Sequence, residues 1–362
     1  MVLALAACQS PEPEAAPTAA EEQAPATEEE EAPPAEEEAP ADEETPDEEA
    51  PVEEAPAGEA SELRLAVLLP GVITDADYNT LGYVAATEVQ STLGIDMAYS
   101  ENVAVPDVDR IMREYIDGGY NVIFTHGGQF ISQTRDLASE FPDVVFIAES
   151  DAPEEDPPPN LWVIDRNFHI GYYAIGALAA KQTETGKIAY LGGLTLPFSY
   201  SEVHAVEQAI DDLGADVELQ AVWSGDFNDP SAARELTDAM IADDVDVIMG
   251  SLNLGMFGVF EGVRASDSPV WVTAKYSDKS TFAPDHYLTS LVYDYAGPLE
   301  DILTRISEGE SGGYYPLGFD TGVGLQFPLA NVSDEVNAEM EALTASLANG
   351  EIEVVKNTEP IE

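Results

Sequence analysis

The residues in this chain that could do chemistry recur in one setting, an aromatic or short polar side chain just after a hydrophobic run. Asp75, Tyr78 and Asn79 follow the run Leu65 to Leu69, and Gln129 and Phe130 follow Val122 to Thr125. Pro197 and Phe198 follow Lys187 to Leu191, Trp223, Asp226 and Phe227 follow Val217 to Val222, Asn253 follows Val245 to Met249, and Tyr276 and Asp278 follow Val270 to Thr273. Aromatic rings offer flat faces for stacking, and Asp or Asn beside them can hydrogen-bond ring nitrogens, exocyclic amines or hydroxyls. The combination suits a flat, polar, neutral or cationic ligand such as a nucleobase or nucleoside. Each position also has a plainer reading. Tyr78 and Phe130 could staple helix starts, Asp75 or Asp77 could cap a helix, and Trp223 could seal a rim. Their joint placement at strand ends is what points to a site.

Enzyme signatures are missing from the same stretches. The chain has no GxSxG, no GxxxxGK[ST] and no HExxH, and its four histidines, His126, His169, His204 and His286, are dispersed. The sequence therefore predicts no catalytic residue, no metal site and no cofactor. His126 alone stands on a loop after a strand. Gly127-Gly128 and Gly192-Gly193 lack the spacing of a dinucleotide-binding turn and have no basic neighbour for a phosphate.

The elements that must position these residues alternate in type. Short β-branched runs apolar on both faces are separated by amphipathic helices, which predicts parallel sheets covered on both sides. In the segment begun by Pro106, Val108, Ile111, Met112, Tyr115 and Ile116 fall on one helical face, and Gly118-Gly119 ends it. Asp229-Pro230 reads as the cap and first turn of another helix. A Pro-rich acidic break, Asp151 to Pro159, precedes a second round of the same alternation. Two units of similar size imply two lobes, with later segments crossing back to form a hinge. In open parallel sheets ligands bind beyond the carboxyl ends of the strands, so the expected site is the cleft between lobes.

Charge is distributed unevenly along the 362 residues. Of the 71 Asp and Glu, 21 lie between Gln9 and Glu62, where there is no Lys or Arg; the part from Leu63 onward carries the other 50 with all 13 basic residues. Such a surface repels phosphate backbones and anionic headgroups, which disfavours nucleic-acid binding and electrostatic adsorption to membranes. The same acidity suits a saline medium. The stretch from Ser10 to Ser61, mostly Pro, Ala, Glu and Thr, cannot bury enough apolar surface to fold and reads as an extended spacer. Ahead of it, the apolar Met1 to Ala7 runs into Cys8, the chain's single cysteine. Apolar run, small residues and a lone Cys form the pattern of a lipoprotein signal, with Cys8 acylated after cleavage. The run lacks the positive residues of a signal start, which suggests a start upstream of Met1.

The stretches GVITDADYNTLGYVAA, FTHGGQFISQTRDLASEFPDVVF, GYYAIGALAAKQTETGKIAYLGG, VWSGDFNDPSAARELTDAMIADDVDVI and YSDKSTFAPDHYLTSLVYDY, in this order, resemble the basic membrane protein family of ABC-transporter solute-binding lipoproteins, which is similar to purine nucleoside receptors. The resemblance covers most of residues 63 to 327. It implies an α/β, type I periplasmic binding protein fold, with two Rossmann-like parallel-sheet lobes joined by crossing hinge segments. It assigns Asp75, Tyr78 and Asn79 to the first ligand loop, with Tyr78 where the family has a ring that stacks on a base, and Phe130 to the second. Trp223 and Phe227, with Asp229-Pro230, look like the Trp-rich loop of members that bind free nucleobases. Asn253 and Asp278 fall where polar contacts are expected, and Tyr295 stands for an aromatic after a late strand. Two departures concern the ligand: Tyr293 stands where nucleoside-binding members have a Lys, and Asn167 and Ile170 where the nucleobase subgroup has Arg and Glu.

The resulting expectation is a non-enzymatic, lipid-anchored binding protein on the extracytoplasmic face of the membrane. It would be a monomer that captures a purine-type nucleobase or nucleoside and passes it to a permease and ATPase. A receptor that senses the ligand for signalling and a nucleoside-acting enzyme are the alternatives. The expected organisation is a signal remnant at 1–8, a linker at 9–62, lobe 1 at 63–165 plus about 274–318, lobe 2 at 166–273 plus about 319–330, and a C-terminal helix and tail at 331–362. The expected ligand contacts are Asp75, Tyr78, Asn79, Phe130, Phe198, Trp223, Phe227, Asn253, Tyr276 and Asp278.

Overall fold

Two six-stranded sheets divide the chain, and both grow from the alternation of strand and helix. The computed structural model describes residues 63–361, which fall in one compact unit. The signal remnant, Cys8 and the linker lie outside the described residues. Among the described residues, no helix is long and apolar enough to cross a membrane.

Lobe 1 is built from β1 (Arg64–Leu68), α1 (Tyr78–Leu93), β2 (Asp96–Ser100), α2 (Val108–Asp117), β3 (Val122–Thr125), α3 (Ile131–Glu140), β4 (Val145–Ser150) and β5 (Leu161–Asp165). The chain then passes into α4 (Phe168–Gln182), β6 (Lys187–Gly192), α5 (Pro197–Leu213), β7 (Glu218–Trp223), α6 (Pro230–Ala242), β8 (Val247–Ser251), α7 (Met256–Ala265), β9 (Trp271–Tyr276) and β10 (Tyr287–Tyr293), which form lobe 2. It returns through α8 (Ala296–Ser307) and β11 (Gly313–Pro316) to lobe 1, and through β12 (Val323–Leu325) and α9 (Asp334–Ala348) to lobe 2.

The sheet orders are β11-β5-β4-β3-β1-β2 and β12-β10-β9-β8-β6-β7. Every pairing is parallel except β10 with β12. Central strands are apolar on both faces because helices cover both: Leu65, Ala66, Val67 and Leu68 are all fully buried, and in register Leu65 faces Met97 on one side and Val122 on the other. The expected cap holds, since the Asp229 carboxylate accepts from the N–H groups of Ser231 and Ala232 at 2.9 and 3.1 Å. At Gly176 on α4, a Cβ would stand 2.9 Å from the Cα of Val206, so the glycine permits the close α4–α5 contact at the centre of lobe 2.

The lobe boundary differs from the sequence expectation in one place. The stretch from about 274 to 318 does not belong wholly to lobe 1, because β10 pairs in parallel with β9 and extends the second sheet before the chain crosses back. A strand that continues one sheet and a strand that starts a return read alike in hydropathy; only pairing separates them. β11 has no counterpart in the sequence reading. Its residues, Gly-Tyr-Tyr-Pro, make a short edge strand closed by proline, without a hydrophobic run.

The C-terminal tail beyond α9 lies along α5. Gln208 donates to the Glu353 carbonyl at 3.0 Å and accepts from the Val355 N–H at 2.9 Å, and Lys356 pairs with Asp165 at the end of β5. His169 in the first turn of α4 sits near this tail. Burial pushes its imidazole down to about 3, with Lys356 adding to the effect and the Val354 backbone acting the other way.

Candidate functional site

The cleft between the lobes holds a cavity of about 530 Å³, and its walls come from residues that follow strands. From lobe 1 it is lined by Pro70 and Gly71 after β1, Tyr78 and Asn79 at the start of α1, Gly128 and Gln129 after β3, Asp151 after β4 and Arg166 after β5. Lobe 2 supplies Leu194, Leu196, Pro197 and Phe198 after β6, Phe227 and Asn228 after β7, Asn253 after β8 and Tyr276 at the end of β9. This is the crevice that parallel topology dictates, formed twice and face to face.

On the lobe 1 side the polar groups are committed to one another. Asp75 is buried and its two oxygens accept from the N–H groups of Asp77, Asn79 and Thr80, all at 3.0 Å, and from the Asn79 amide at 2.7 Å. It therefore organises the start of α1 and does not line the cavity. Asn79 does line it, while its carbonyl accepts from the Gly71 N–H at 2.9 Å. A side chain at Gly71 would collide with that amide, a Cβ lying 2.6 Å from Nδ2.

Tyr78 is held from three directions. His126 stacks on its ring at 4.0 Å between centroids and 23° between planes, its hydroxyl donates to Glu149, and Arg166 donates to the same hydroxyl at 3.2 Å. His126, fully buried, binds the Tyr78 carbonyl through Nε2 at 2.8 Å and faces Glu149 through Nδ1 at 2.6 Å. Burial works to raise the Glu149 carboxyl, but His126 and then Arg166 outweigh it and hold it below the ordinary carboxylate value. Burial and the Glu149 charge push the Tyr78 phenol well above its ordinary value, so it stays a neutral donor.

Arg166 completes this wall. Its guanidinium pairs with Asp151 through Nε at 2.9 Å and through a terminal nitrogen, and it lies 5.8 Å from the Tyr78 ring centre and 5.2 Å from that of Phe198. Burial alone would lower it, but Asp151, Tyr78 and Glu149 keep it well above its ordinary value and always charged. A guanidinium has five N–H donors, and three of them are used by Asp151 and Tyr78.

The lobe 2 side presents rings over a buried charge. Phe198 and Phe227 stack at 6.1 Å and 22°, with Gly193 close beneath, where a Cβ would stand 2.2 Å from the Phe227 ring. Below them Lys275 is fully buried and paired with Glu202, its ammonium 3.7 Å from the centre of the Phe168 ring, 4.8 Å from Tyr276 and 5.1 Å from Phe198. Burial pulls the Lys275 amine down to about 8 against the opposing pull of Glu202. The rings turn their electron-rich faces towards this cation.

Of the ten residues expected at the ligand, Tyr78, Asn79, Phe198, Phe227, Asn253 and Tyr276 line the cavity. The other four do not. Phe130 is fully buried in the lobe 1 core with Ile123 and Leu137, because the turn that carries it rolls its ring under the sheet. Trp223 packs edge-on to Tyr200 and its indole N–H reaches Ser199 at 3.4 Å. Asp278 is exposed and accepts from the Ser280 N–H at 2.8 Å, which holds its carboxyl below the ordinary value. Asp75 is used as described above.

Sequence reading missed Arg166 and Asp151. Where it found Asn167 in a position expected to carry a guanidinium, the residue before supplies one. Arg166 follows a strand, as every other lining residue but Tyr276 does, and is one of only 13 cations in a strongly acidic chain. Asp151 was hidden at the head of a Pro-rich break. Among the described residues, no group of three or more His, Cys, Asp or Glu could hold a metal ion.

A family model described as ABC transporter substrate-binding protein, PnrA-like (Bmp), matches residues 62–358. The chain belongs to this family. It is a solute-binding protein of the ABC-transporter type, and its family is not one of enzymes. Basic membrane protein A2 of Borrelia garinii subsp. bavariensis is 24% identical over 83% of this chain and 90% of its own length. A purine-binding protein of Brucella abortus is 24% identical over 74% of this chain and 76% of its own. A Haloferax volcanii protein named for ABC-transporter glucose binding is 25% identical over 72% of this chain and 65% of its own. The solved ABC-transporter solute-binding protein of Aeropyrum pernix K1 superposes with a TM-score of 0.70 at 18% identity, covering 82% of this chain and 94% of that one. The fold of this solute-binding protein is accordingly the type I periplasmic binding fold.

Proposed function

We propose that this solute-binding protein captures a neutral, flat, purine-type nucleobase or nucleoside and releases it to a membrane permease driven by an ATPase. The observation that carries the reading is the make-up of the cavity, with the rings of Tyr78, Phe198, Phe227 and Tyr276 beside the amides of Asn79, Gln129 and Asn253 and the Arg166–Asp151 pair. Rings supply stacking, and the pair sets a donor next to an acceptor, the pattern on the edge of a purine. The cavity's charges are balanced within it, so an ionic ligand would leave a buried charge without a partner. Wrong bases would be rejected by polar groups left unpaired.

The anchor belongs to the same reading. Acylation at Cys8 would hold the protein on the extracytoplasmic face, with the acidic stretch up to Glu62 as a tether, and a monomer would meet the permease directly.

A thermal-shift panel tests the ligand class, because a ligand that binds only the folded state raises the melting temperature. Adenine, guanine, hypoxanthine, adenosine and guanosine are compared with glucose, arabinose and a set of amino acids. A shift with one or more purines is expected. A shift with a sugar alone would overturn the purine reading in favour of a carbohydrate, the second reading, which the glucose-named Haloferax relative favours.

A further inference from the structure

Asp77 and Lys279 lie 202 positions apart in different lobes, and both are almost fully buried at the edge of the cleft. Their side chains pair directly. The Lys279 ammonium also donates to the Ser277 hydroxyl at 2.9 Å and to the Lys275 carbonyl at 3.1 Å, so all three of its donors are used, and Ser277 itself reaches Asp77 at 3.2 Å. A longer contact runs parallel to it, from the Asn253 amide to Asp75 at 3.4 Å.

Each partner of the pair adjoins an aromatic of the cavity wall. Asp77 precedes Tyr78, and Lys279 closes the turn that carries Tyr276. The two rings, one from each lobe, stand 5.8 Å apart between centroids. Tyr276 has φ of 77°, rare for a bulky residue, and the Ser277 N–H to Lys275 carbonyl bond at 3.1 Å across it makes this a tight three-residue turn. Such a conformation persists only when its surroundings hold it, and Lys279 grips both Lys275 and Ser277 on either side.

We infer that the Asp77–Lys279 pair is a cross-cleft latch that admits one closed arrangement of the lobes, the one in which Tyr78 and Tyr276 form a continuous wall. The reason is the cost of error. A buried ion pair adds little net attraction, because both groups lose water; but any closure that slips the pair leaves a carboxylate and an ammonium buried without partners. The pair therefore penalises wrong closures more than it rewards the right one. Asp77 and Lys279 act through the two tyrosines and are positioning residues. This inference does not depend on which solute fills the cavity.

The test is an interlobe distance measured by pulsed electron paramagnetic resonance on the full chain without any solute. Spin labels go on cysteines at exposed Glu88 of α1 and Glu261 of α7, in a Cys8→Ser background. Lys279→Met is expected to shift the distance distribution to longer separations, and Lys279→Arg, which keeps the charge, to stay near the parent. If Lys279→Met fails to fold, Asp77→Asn is measured in the same way, with the same shift expected. The inference is overturned if the charge-removing variant that folds keeps the parent distribution, or if Lys279→Arg opens as far as Lys279→Met. Since no solute is present, a failed purine screen leaves this result standing, and the reverse also holds.

Discussion

The two walls of the cleft solve the same problem with opposite materials. Lobe 1 faces the cavity with Tyr78, held from behind by Glu149 and His126, and with the Arg166–Asp151 pair, so its one ring is fixed by hydrogen bonds. Lobe 2 faces it with Phe198, Phe227 and Tyr276, and hides its charged pair, Lys275 and Glu202, beneath the rings. One charged pair of the first wall, Arg166 and Asp151, lines the cavity, whereas in the second wall the charged pair is sealed away. The first arrangement suits reading a polar edge and the second suits holding a flat face.

The largest way to break this contrast is to remove a charge from each wall. Glu202→Ala leaves the Lys275 ammonium buried without its partner and is expected to cost about 3–5 kcal/mol of stability in urea unfolding, with ligand contacts intact in the variant that remains folded. Asp151→Ala is expected to do less to stability, about 1–3 kcal/mol, since Arg166 keeps Tyr78 and the open cavity as company, and more to affinity. Equal stability losses for the two variants would remove the distinction between the walls.

Acid should weaken lobe 2 through His169. Its folded-state value of about 3 is depressed from 6.5, so the native protein binds fewer protons than the unfolded chain between those values. Stability contributed by the neutral imidazole is therefore full above about pH 6.5, falls as the pH drops, and levels off near pH 3, a loss of roughly 5 kcal/mol. The measurement is the difference between parent and His169→Gln in unfolding free energy across that window, which should stay constant above pH 7 and shift against the parent below 6.

Smaller effects separate ring from ring. Tyr78→Ala and Phe198→Ala are each expected to weaken binding of the solute that passes the thermal-shift screen by about 1–3 kcal/mol by calorimetry, if both faces are stacked. Tyr78→Phe keeps the ring and removes the hydroxyl, so it should lower stability by stranding Glu149 and one Arg166 donor while leaving the stacking face in place. The smallest effect belongs to Asp278→Ala, within about 0.5 kcal/mol in stability, and no change in affinity, as expected for an exposed turn residue outside the cavity.

How far the site was legible before folding depended on the kind of signal. The rule that side chains after strands line the cleft picked out Tyr78, Asn79, Phe198, Phe227, Asn253 and Tyr276, since parallel topology alone sends strand ends to one side. The same rule carried too far at Phe130 and Trp223, because a residue after a strand can roll under the sheet or against a neighbour, and a one-residue change of direction leaves no trace in hydropathy. It passed over Arg166, which follows β5 as the others follow their strands, and Asp151, which stands in a stretch rich in proline.

By itself the sequence determined the alternation of parallel strands and helices, the two-lobed plan, the aromatic and amide character of the cleft and the absence of Lys and Arg from the acidic N-terminal stretch. All of these follow from local periodicity and composition, which hydrophobic burial reads directly. Only the tertiary structure decided that β10 joins the second sheet, that Arg166 meets Asp151 and Tyr78, that Lys275 and Glu202 lie beneath the rings, and that Asp77 crosses the cleft to Lys279. Each of these is a pairing between residues 15 to 202 positions apart, and their interaction depends on the register of sheets and the closure of lobes, quantities that no local pattern encodes.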